Sequence, residues 1–514
     1  MAIDTAANNR RIAKNTLMLY FRMLFSMVVS LYTSRVVLNA LGVEDYGIYN
    51  VVGGLVSMFS VISGSLSASI LRFITYELGC GDKNRLNKIF STSINIQFGL
   101  GLIIIILAET VGIWFLNAKM NISDVRMMAA NWVFQFSILT FVVNLVSVPY
   151  NASIIAHEHM SAFAYISIID VLGKLAVAIL IAYSSADKLV LYALLMFVVA
   201  CVIRFIYALY CKRNFEECRY NWNFDKTLFY QMFRFAGWNF IGASSAVLRD
   251  QGGNIVINLF CGPAVNAARG LAVQLSSAVQ GFATNFMTAL NPQITKSYAS
   301  GDRDYMMMLV LQGAKLSFYM LLILSLPVMV NAHYILALWV KIVPDHTVLF
   351  VQLALLFAMS ESISNPLVTV MLATGNIRNY QLAVGGLQMM NLPISYVLLR
   401  NGMLPEAVLI VAIIISQCCL IVRLYMLHRM IGISISEFLR KVYFNVVIVS
   451  ILSAILPVIL VNYLDETFLN FVIISVFSVM STSCLIYYVG CNRKERNLIK
   501  SKIISALKRK FDKR

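Results

Sequence analysis

The chain has 514 residues, of which 60% are hydrophobic and only 13% are charged. Soluble domains are about half apolar and about a quarter charged, so this composition excludes a water-soluble globular fold and indicates an integral membrane protein. Lys and Arg number 41 against 24 Asp and Glu, which gives a net charge of +17. That excess predicts a topology signal, an anionic partner, or both.

Fourteen apolar runs approach the length of about 20 residues that a helix needs to cross a bilayer. In chain order they are 16–38, 47–71, 89–116, 129–148, 162–183, 188–210, 229–258, 265–290, 309–330, 347–372, 379–399, 405–427, 442–462 and 468–489. Runs this long and uniformly apolar exclude barrel strands. The predicted fold class is therefore an all-α polytopic membrane protein with about 14 transmembrane helices.

The basic residues of the connections fall on alternate sides of these spans. Most of them share one side with the N-terminus and with the C-terminal tail. The opposite side holds Lys119, Arg126, Lys188, Lys341 and Arg400. Because Lys and Arg accumulate in cytoplasmic loops, both termini are predicted to be cytoplasmic.

The tail, residues 491–514, alternates basic and apolar residues. Its apolar residues share one helical face and are Leu498, Ile499, Ile503, Leu507 and Phe511. This pattern predicts an amphipathic cytoplasmic helix on the anionic inner leaflet, the alternative being a solvated basic tail.

Weak self-similarity at an offset of about 220 residues predicts an internal repeat. The matches lie in equivalent positions along the helices: Gly42 and Gly262, Gly81-Asp82 and Gly301-Asp302, and Pro149 and Pro366. We expect an N-lobe of six helices over 1–215 and a C-lobe of six over 216–430. Both begin on the cytoplasmic side, so a pseudo-two-fold axis along the membrane normal would relate them. The last two helices, over 431–490, fall outside the repeat.

Basic residues inside the spans are the strongest functional signal, because each costs roughly 2.5 to 3.5 kcal/mol at a helix centre. Two lie close enough to a cytoplasmic end to extend into the interface, namely Arg204 and Arg423. Five others are concentrated in three spans. The first span, which begins the first repeat, and the seventh, which begins the second repeat, hold two each, and the eighth holds one: Arg22, Arg35, Arg234, Arg249 and Arg269. Candidates for ion coupling or charge pairing are Asp170, Lys174, Asp250, Lys315 and Glu361.

Helical geometry adds detail to three of these pairs. Asp170 and Lys174 have the i, i+4 spacing of an ion pair. Arg234 and Arg249 come within about 60° of each other on one helix face at 100° per residue. Arg249 and its neighbour Asp250 point about 100° apart, so we do not expect them simply to neutralise each other.

Guanidinium groups bind phosphate in a bidentate manner, so the five arginines predict a cavity for an anionic head group. Contacts to lipid phosphates or to helix carbonyls are the alternative. Hydroxyls and amides in the same spans, such as Asn254, Ser276, Ser277 and Gln280, favour a hydrated lumen. We find no phosphate-binding loop, nucleophile elbow or paired carboxylates, and therefore expect no catalytic residues, metal, cofactor or nucleic-acid partner.

Several short motifs resemble one known family. They are Leu41 to Tyr49 after the first span, Gly81-Asp82 after the second, and Asn291 to Ile294 followed by Gly301-Asp302 after the eighth. In these the chain resembles the Wzx-type O-antigen and capsule flippases of the multidrug/oligosaccharidyl-lipid/polysaccharide (MOP) exporter superfamily. The resemblance implies two lobes that open alternately to either side of the bacterial inner membrane and carry an undecaprenyl-pyrophosphate-linked sugar unit outward. It also implies membrane lipids, a polysaccharide polymerase and other glycan-assembly proteins as partners.

A cation-coupled multidrug antiporter of the MATE type shares the fold class and is the alternative function. Such a protein needs membrane carboxylates, which Asp170, Asp250 and Glu361 provide, although the first span holds arginines and no acid. A membrane enzyme of glycan assembly would need a large outer loop with catalytic groups. The predicted outer loops are short, so we expect a transporter rather than an enzyme.

Overall fold

The structure is a computed structural model that describes residues 5–57, 59–120, 122–222, 225–340, 343–493 and 495–497. Throughout these ranges the secondary structure is helical. The helices of the first half are α1 Thr5–Ser57, α2 Ser60–Cys80, α3 Lys83–Leu107, α4 Ile113–Lys119, α5 Asp124–Ala156, α6 Met160–Ala182 and α7 Lys188–Asn214. Those of the second half are α8 Lys226–Ala299, α9 Arg303–Val330, α10 Ala332–Val340, α11 Thr347–Thr374, α12 Arg378–Met389, α13 Asn391–Arg400, α14 Ala407–Ile431, α15 Ile435–Phe438, α16 Phe444–Tyr463 and α17 Phe468–Leu485.

Eleven helical segments of the described chain are long and apolar enough to cross a membrane. This confirms the predicted class of an all-α, polytopic membrane protein. The three other predicted spans fall outside the eleven. Spans 229–258 and 265–290 lie within α8, whereas span 47–71 is divided between the end of α1 and the start of α2. Those on α8 carry charged, amide and hydroxyl groups, which lower their hydropathy. Residues 498–514, which hold most of the predicted amphipathic tail, lie outside the described residues.

The residues that define the sequence repeat have matching local geometry. Gly42 interrupts α1 at φ 79° and ψ 173°, and Gly262 interrupts α8 at φ 83° and ψ 177°. Gly81 and Gly301 both adopt a positive φ at the end of a helix, Gly81 directly after α2 and Gly301 one residue further on after α8. The aspartate after each of them then caps the next helix: Asp82 Oδ1 accepts from Arg85 N, and Asp302 Oδ1 accepts from Tyr305 N. Side-chain caps of this kind satisfy backbone donors that the helix itself leaves free.

The chain divides into two compact units, which interleave along the sequence. The first unit comprises Met1–Ser244, Thr288–Met306 and Thr369–Gln381; the second comprises Ser245–Met287, Met307–Val368 and Leu382–Arg514. Helices α8, α9, α11 and α12 therefore contribute to both units. The predicted lobes over 1–215 and 216–430 remain a prediction.

The core of the first unit is built where α1, α5 and α7 meet. Phe134 of α5 is almost fully buried and packs in one cluster with Val52 of α1 and Leu189 of α7. Beside this cluster, Arg126 of α5 forms ion pairs with Asp45 and Asp187. Asp187 also caps α7. Burial acts to raise the pKa of the Asp187 carboxyl, but the contact with Arg126 and the hydrogen bonds from the backbone N–H groups of Leu189 and Val190 together hold that pKa below its usual value. Asp45, a residue of the family-like motif, thus has a structural role.

In the second unit the buried side chains come mainly from α9, α11 and α14. Phe350 and Leu355 of α11 are fully buried, as is Leu427 near the end of α14. The segment after α17 returns to this unit, because Lys315 of α9 donates to Glu495 Oε2 at 2.9 Å and to the carbonyl of Gly490 at 3.0 Å. Lys315 was a candidate for charge pairing, and Glu495 is its partner.

Candidate functional site

A polar cavity of about 360 Å³ lies within the second unit, between α8, α11, α13 and α14. Four of the ten predicted site residues line it, namely Arg249, Asp250, Arg269 and Glu361. Hydroxyl and amide groups complete the polar part of the wall: Gln251, Asn254, Ser276, Ser277, Gln280, Asn365 and Asn391. A cavity with this many polar groups inside an otherwise apolar helical unit is suited to a hydrated or strongly polar ligand.

Arg269 is held in a fixed position within the cavity wall. Its residue is 5% exposed, and both terminal nitrogens donate to the backbone carbonyl of Asp250 at 3.2 Å. Nη1 also donates to Asn254 Oδ1. Gly253 and Arg269 lie on opposite sides of the kink at Gly262 in α8. A Cβ atom at Gly253 would lie 3.0 Å from Nη2 of Arg269, so a glycine at this position lets the guanidinium lie against the part of α8 before the kink. The close approach explains this glycine better than helix bending does.

Arg249 pairs with its neighbour Asp250, which contradicts the expectation from helix geometry. Its Nε donates to Asp250 Oδ1 at 2.9 Å and its Nη2 to Oδ2 at 3.3 Å. The expectation considered only the directions of the Cα–Cβ bonds, whereas the long arginine stem spans the 100° between the two residues. The guanidinium also lies 4.8 Å from the ring centroid of Phe357.

The acids make this cavity electrostatically balanced, since two arginines face two carboxylates. Glu361 Oε1 accepts a hydrogen bond from Ser416 Oγ at 2.6 Å. The side chain of Asp250 is 57% exposed, whereas that of Arg249 is 12% exposed. Asp250 is therefore the lining charge that solvent or a ligand reaches most easily.

The structure places the other predicted arginines outside this cavity. Arg234 lines a different cavity in the first unit. It shares α8 with Arg249, but the 15 residues between them correspond to roughly 22 Å along a helix axis. A common helix face therefore does not give them a common site. On α1, Arg22 is half-buried with its guanidinium carbon 4.6 Å from the ring centroid of Phe163, and the side chain of Arg35 is exposed.

Asp170 and Lys174 form the ion pair for which their spacing is typical. Lys174 Nζ lies 2.7 Å from Asp170 Oδ2 on α6. Both residues line a separate cavity of about 450 Å³ in the first unit, together with Asn144, Asn151 and Tyr207.

Sequence reasoning missed several residues of two cavities, the one lined by Arg249 and Arg269 and the one lined by Arg234. In the second unit, Gln251, Asn365 and Asn391 are uncharged residues in mixed surroundings, with no sequence signal beyond their polarity. In the first unit, Arg72 and Arg378 lie beside Arg234. Both lie at the cytoplasmic ends of predicted spans, where a basic residue is typical of a topology signal, so the sequence gives no reason to place them in a binding site.

The first half of the chain is similar to a known protein family. Residues 10–298 match the family model described as "Polysaccharide biosynthesis protein". A curated relative, the uncharacterized membrane protein EpsK of Bacillus subtilis (strain 168), is 19% identical over 288 residues. That match covers 55% of this chain and 56% of EpsK, so the chain spans little more than half the length of this relative.

Solved MATE transporters share the fold. The structure described as MATE in the bent conformation has a TM-score of 0.72 and 13% identity, covering 85% of this chain and 97% of that chain. An outward-facing multidrug resistance MATE transporter of the MOP superfamily has a TM-score of 0.69 and 14% identity, covering 82% and 95%. A mutant of the Vibrio cholerae MATE transporter VcmN has a TM-score of 0.65 and 16% identity, covering 83% and 99%. Identities this low establish the fold alone.

Proposed function

The chain belongs to the polysaccharide biosynthesis protein family, and from that premise we propose that it is an exporter that moves a polyprenyl-pyrophosphate-linked oligosaccharide across the bacterial inner membrane. The cargo is an O-antigen, capsule or exopolysaccharide repeat unit. Transport proceeds by alternating access, with both termini on the cytoplasmic side. The chain's role is transport rather than catalysis.

The observation that supports this most is the arrangement of Arg249 and Arg269 in a polar cavity of the second unit. Arg269 is already fixed by α8, so it presents its charge without further ordering. Arg249 is neutralised by the exposed carboxylate of Asp250. A pyrophosphate that displaces this carboxylate gains a bidentate contact, and Asp250 keeps the charge paired when the cavity is empty.

The surrounding groups match the rest of the cargo. Asn254, Gln280 and Asn365 provide donors and acceptors for sugar hydroxyls. Arg22 and Arg35 of α1 remain proposed contacts for the anionic head group from the N-lobe. Asp170 and Lys174 remain proposed as a coupling pair.

Cation-coupled drug export of the MATE type is the second candidate, and one observation favours it. Asp250 and Glu361 line the same cavity, and membrane carboxylates bind and exchange cations. In this function the carboxylates, and not the arginines, would be indispensable.

Proteoliposomes containing the whole chain test the proposal. A labelled polyprenyl-pyrophosphate-linked oligosaccharide is added, and its arrival in the opposite leaflet is followed by oxidation with membrane-impermeant periodate. We expect the pair of substitutions Arg249→Gln and Arg269→Gln to slow transfer at least tenfold, since each charge-assisted contact contributes about 1.5 to 3 kcal/mol. Arg400→Gln, which removes an exposed charge from the same unit, is the matched control and should transfer at the wild-type rate.

Two results would contradict the proposal. One is an unchanged transfer rate in the double arginine variant at normal protein levels. The other is gradient-driven efflux of a cationic dye that persists in the arginine variants but is lost in Asp250→Asn and Glu361→Gln, which would establish the antiporter instead.

A further inference from the structure

A second charged cavity, of about 430 Å³, lies within the first unit. Its wall combines the end of α2, the start of α3, the first turns of α8 and the turn that precedes α12. Four arginines and one acid line it: Arg72, Arg85, Arg234, Arg378 and Glu77. The lining therefore carries a net charge of +3, in contrast to the balanced cavity of the second unit.

Arg72 is fixed at the back of this cavity. Its Nη2 donates to the carbonyl of Ala373 at 3.0 Å, and its guanidinium carbon lies 4.7 and 4.6 Å from the ring centroids of Phe73 and Tyr76. Gly375, at φ 75°, brings the turn so close that a Cβ there would lie 2.6 Å from Nη2. Among the described residues the buried Nε atom has no hydrogen-bond acceptor. Burial lowers the pKa of this guanidinium, so an anion beside it would stabilise its charged form.

The single acid compensates only part of this charge. Glu77 Oε2 lies 3.5 Å from Arg85 Nε, a long contact, and its side chain is 6% exposed. Burial raises the pKa of the Glu77 carboxyl. The charge of Glu77 also acts on the neighbouring Arg72, but within the lining neither Arg72, Arg234 nor Arg378 forms an ion pair with a carboxylate. The exposed side chains of Arg234 and Arg378 make their guanidinium groups accessible to a ligand.

Helix α12 adds to the attraction for anions. Arg378 is its first residue, and Asn376 and Ile377 of the preceding turn line the cavity. The N-terminus of a helix carries unpaired N–H groups and a partial positive charge, which together favour phosphate. The guanidinium carbon of Arg378 lies 5.4 Å from the ring centroid of Trp238, which confines the side chain to the cavity rim.

We propose that this cavity, defined by Arg72, Arg234 and Arg378 at the N-terminus of α12, is a binding site for a doubly charged phosphate group, either a pyrophosphate or a phosphate monoester. Three arginines that form no ion pair within the lining suit two negative charges better than the single charge of a phosphodiester. The site is separate from the Arg249 and Arg269 cavity and does not depend on the proposed export function.

Binding to the whole chain in detergent tests this site. Inorganic pyrophosphate is titrated at constant ionic strength and its affinity is measured by thermophoresis. We expect Arg234→Gln combined with Arg378→Gln to weaken binding at least tenfold. Arg234→Gln alone changes an exposed side chain, so it remains informative if the double variant folds poorly, and it should weaken binding about threefold or more.

Two matched controls separate this site from other effects. Arg303→Gln removes an exposed charge from the same unit outside the cavity, and Arg400→Gln removes an exposed charge from the other unit, outside both cavities. Both should bind pyrophosphate within twofold of the wild type. Equal weakening in Arg303→Gln and in the arginine-cavity variants would reveal a general charge effect and overturn the site, as would unchanged binding in the double variant. Arg249→Gln is measured separately, because Arg249 belongs to the other cavity. If this variant lost binding while the arginine-cavity variants bound like the wild type, the bound pyrophosphate would belong to the other cavity and the proposal would likewise be overturned.

Lipid nanodiscs identify the source of the phosphate. The protein is extracted from nanodiscs that contain either polyprenyl pyrophosphate or phosphatidylglycerol, and retained lipid is measured by native mass spectrometry. Retention of polyprenyl pyrophosphate that falls in the double variant supports the site with a lipid ligand. Binding of inorganic pyrophosphate without such retention supports it with a soluble ligand. If phosphatidylglycerol, a singly charged phosphodiester, were retained in preference to polyprenyl pyrophosphate and inorganic pyrophosphate, the proposed preference for a doubly charged group would be contradicted.

Discussion

Gly42 and Gly262 occupy the same rare backbone conformation, one in α1 and one in α8. Their φ angles are 79° and 83° and their ψ angles are 173° and 177°. This region of backbone space is accessible to glycine almost alone, because a Cβ atom would collide with the neighbouring carbonyl. Both glycines have open space where a Cβ would lie, so packing does not explain them. The backbone angle itself is the reason for glycine.

Substitution of either glycine should therefore strain the kink. We expect Gly42→Ala and Gly262→Ala each to lower the free energy of unfolding by about 1 to 3 kcal/mol. Gly47→Ala on α1 and Gly270→Ala on α8 are matched controls, since these glycines are helical and have nothing within 4 Å of a Cβ. They should be neutral or slightly stabilising. Thermal unfolding in detergent measures all four, and equal effects in both pairs would contradict this explanation.

Gly253 offers a more selective test of the Arg249 and Arg269 cavity. An alanine there would press on Nη2 of Arg269 at 3.0 Å and on Cγ1 of Val408 at 3.2 Å. Because the arginine end can shift, we expect Gly253→Ala to change stability by less than about 1 kcal/mol, with better helix propensity offsetting the contact. Transfer of the lipid-linked oligosaccharide should fall several-fold. A rate equal to that of the wild type would show that the position of Arg269 does not matter for transport.

The sequence was sufficient for the class of fold and for part of the site, for identifiable physical reasons. Apolar runs predict spanning helices because a bilayer admits few other structures, and Gly42 and Gly262 stand out because their spacing repeats. Arg249, Arg269 and Glu361 were found because a charge is conspicuous in an apolar run. The ion pair of Lys315 with Glu495 joins residues 180 positions apart, and no spacing rule predicts it. Arg378 lies far from Arg72 and Arg234 in the sequence, and only the fold brings the three into one cavity. From the sequence alone, the charge of Arg378 is therefore explained equally well as a topology signal.

A buried carboxylate is expected to stabilise the first unit far more than an exposed one does. The side chain of Glu158 is fully buried; its Oε1 accepts from Lys296 at 2.7 Å, and its Oε2 accepts from Gln293 at 2.6 Å and lies 2.8 Å from Arg11 Nε. Glu158→Ala would leave these donors without their acceptor, and we expect a loss of about 2 to 4 kcal/mol.

The exposed pair of Lys83 and Glu216 provides the matched comparison. Their atoms lie 3.1 Å apart, but the side chains are 82% and 83% exposed. Glu216→Ala should therefore cost less than about 1 kcal/mol, because solvent screens the pair. Denaturant or thermal unfolding of both variants under one condition gives the comparison. If Glu216→Ala were as destabilising as Glu158→Ala, burial would not be the determining factor.

Glu217 predicts how stability depends on pH. It lies between α7 and α8, where its Oε1 pairs with Nε2 of His157, whose ring stacks on Phe215 at 4.2 Å between centroids. Burial is the largest single influence on the pKa of the Glu217 carboxyl and acts to raise it. The hydrogen bond and electrostatic interaction with His157, a backbone hydrogen bond and the nearby Lys83 together outweigh burial and hold that pKa below the ordinary value of 4.5. The unfolded chain therefore binds this proton more tightly than the folded protein does. The stabilisation is fully present above pH 4.5 and is lost as the pH falls through the lower pKa of the folded state.

Thermal unfolding between pH 3 and 7, in about half-unit steps, measures this dependence. The Tm of the wild type should fall more steeply below pH 4.5 than that of Glu217→Gln, which has no carboxyl to protonate at this position. At pH 7 the variant should be the less stable of the two, and the difference should shrink as the pH falls. Glu216→Gln removes a neighbouring exposed carboxyl and should follow the wild-type curve. Parallel curves for Glu217→Gln and the wild type over the whole range would show that the contact with His157 contributes nothing to the pH dependence.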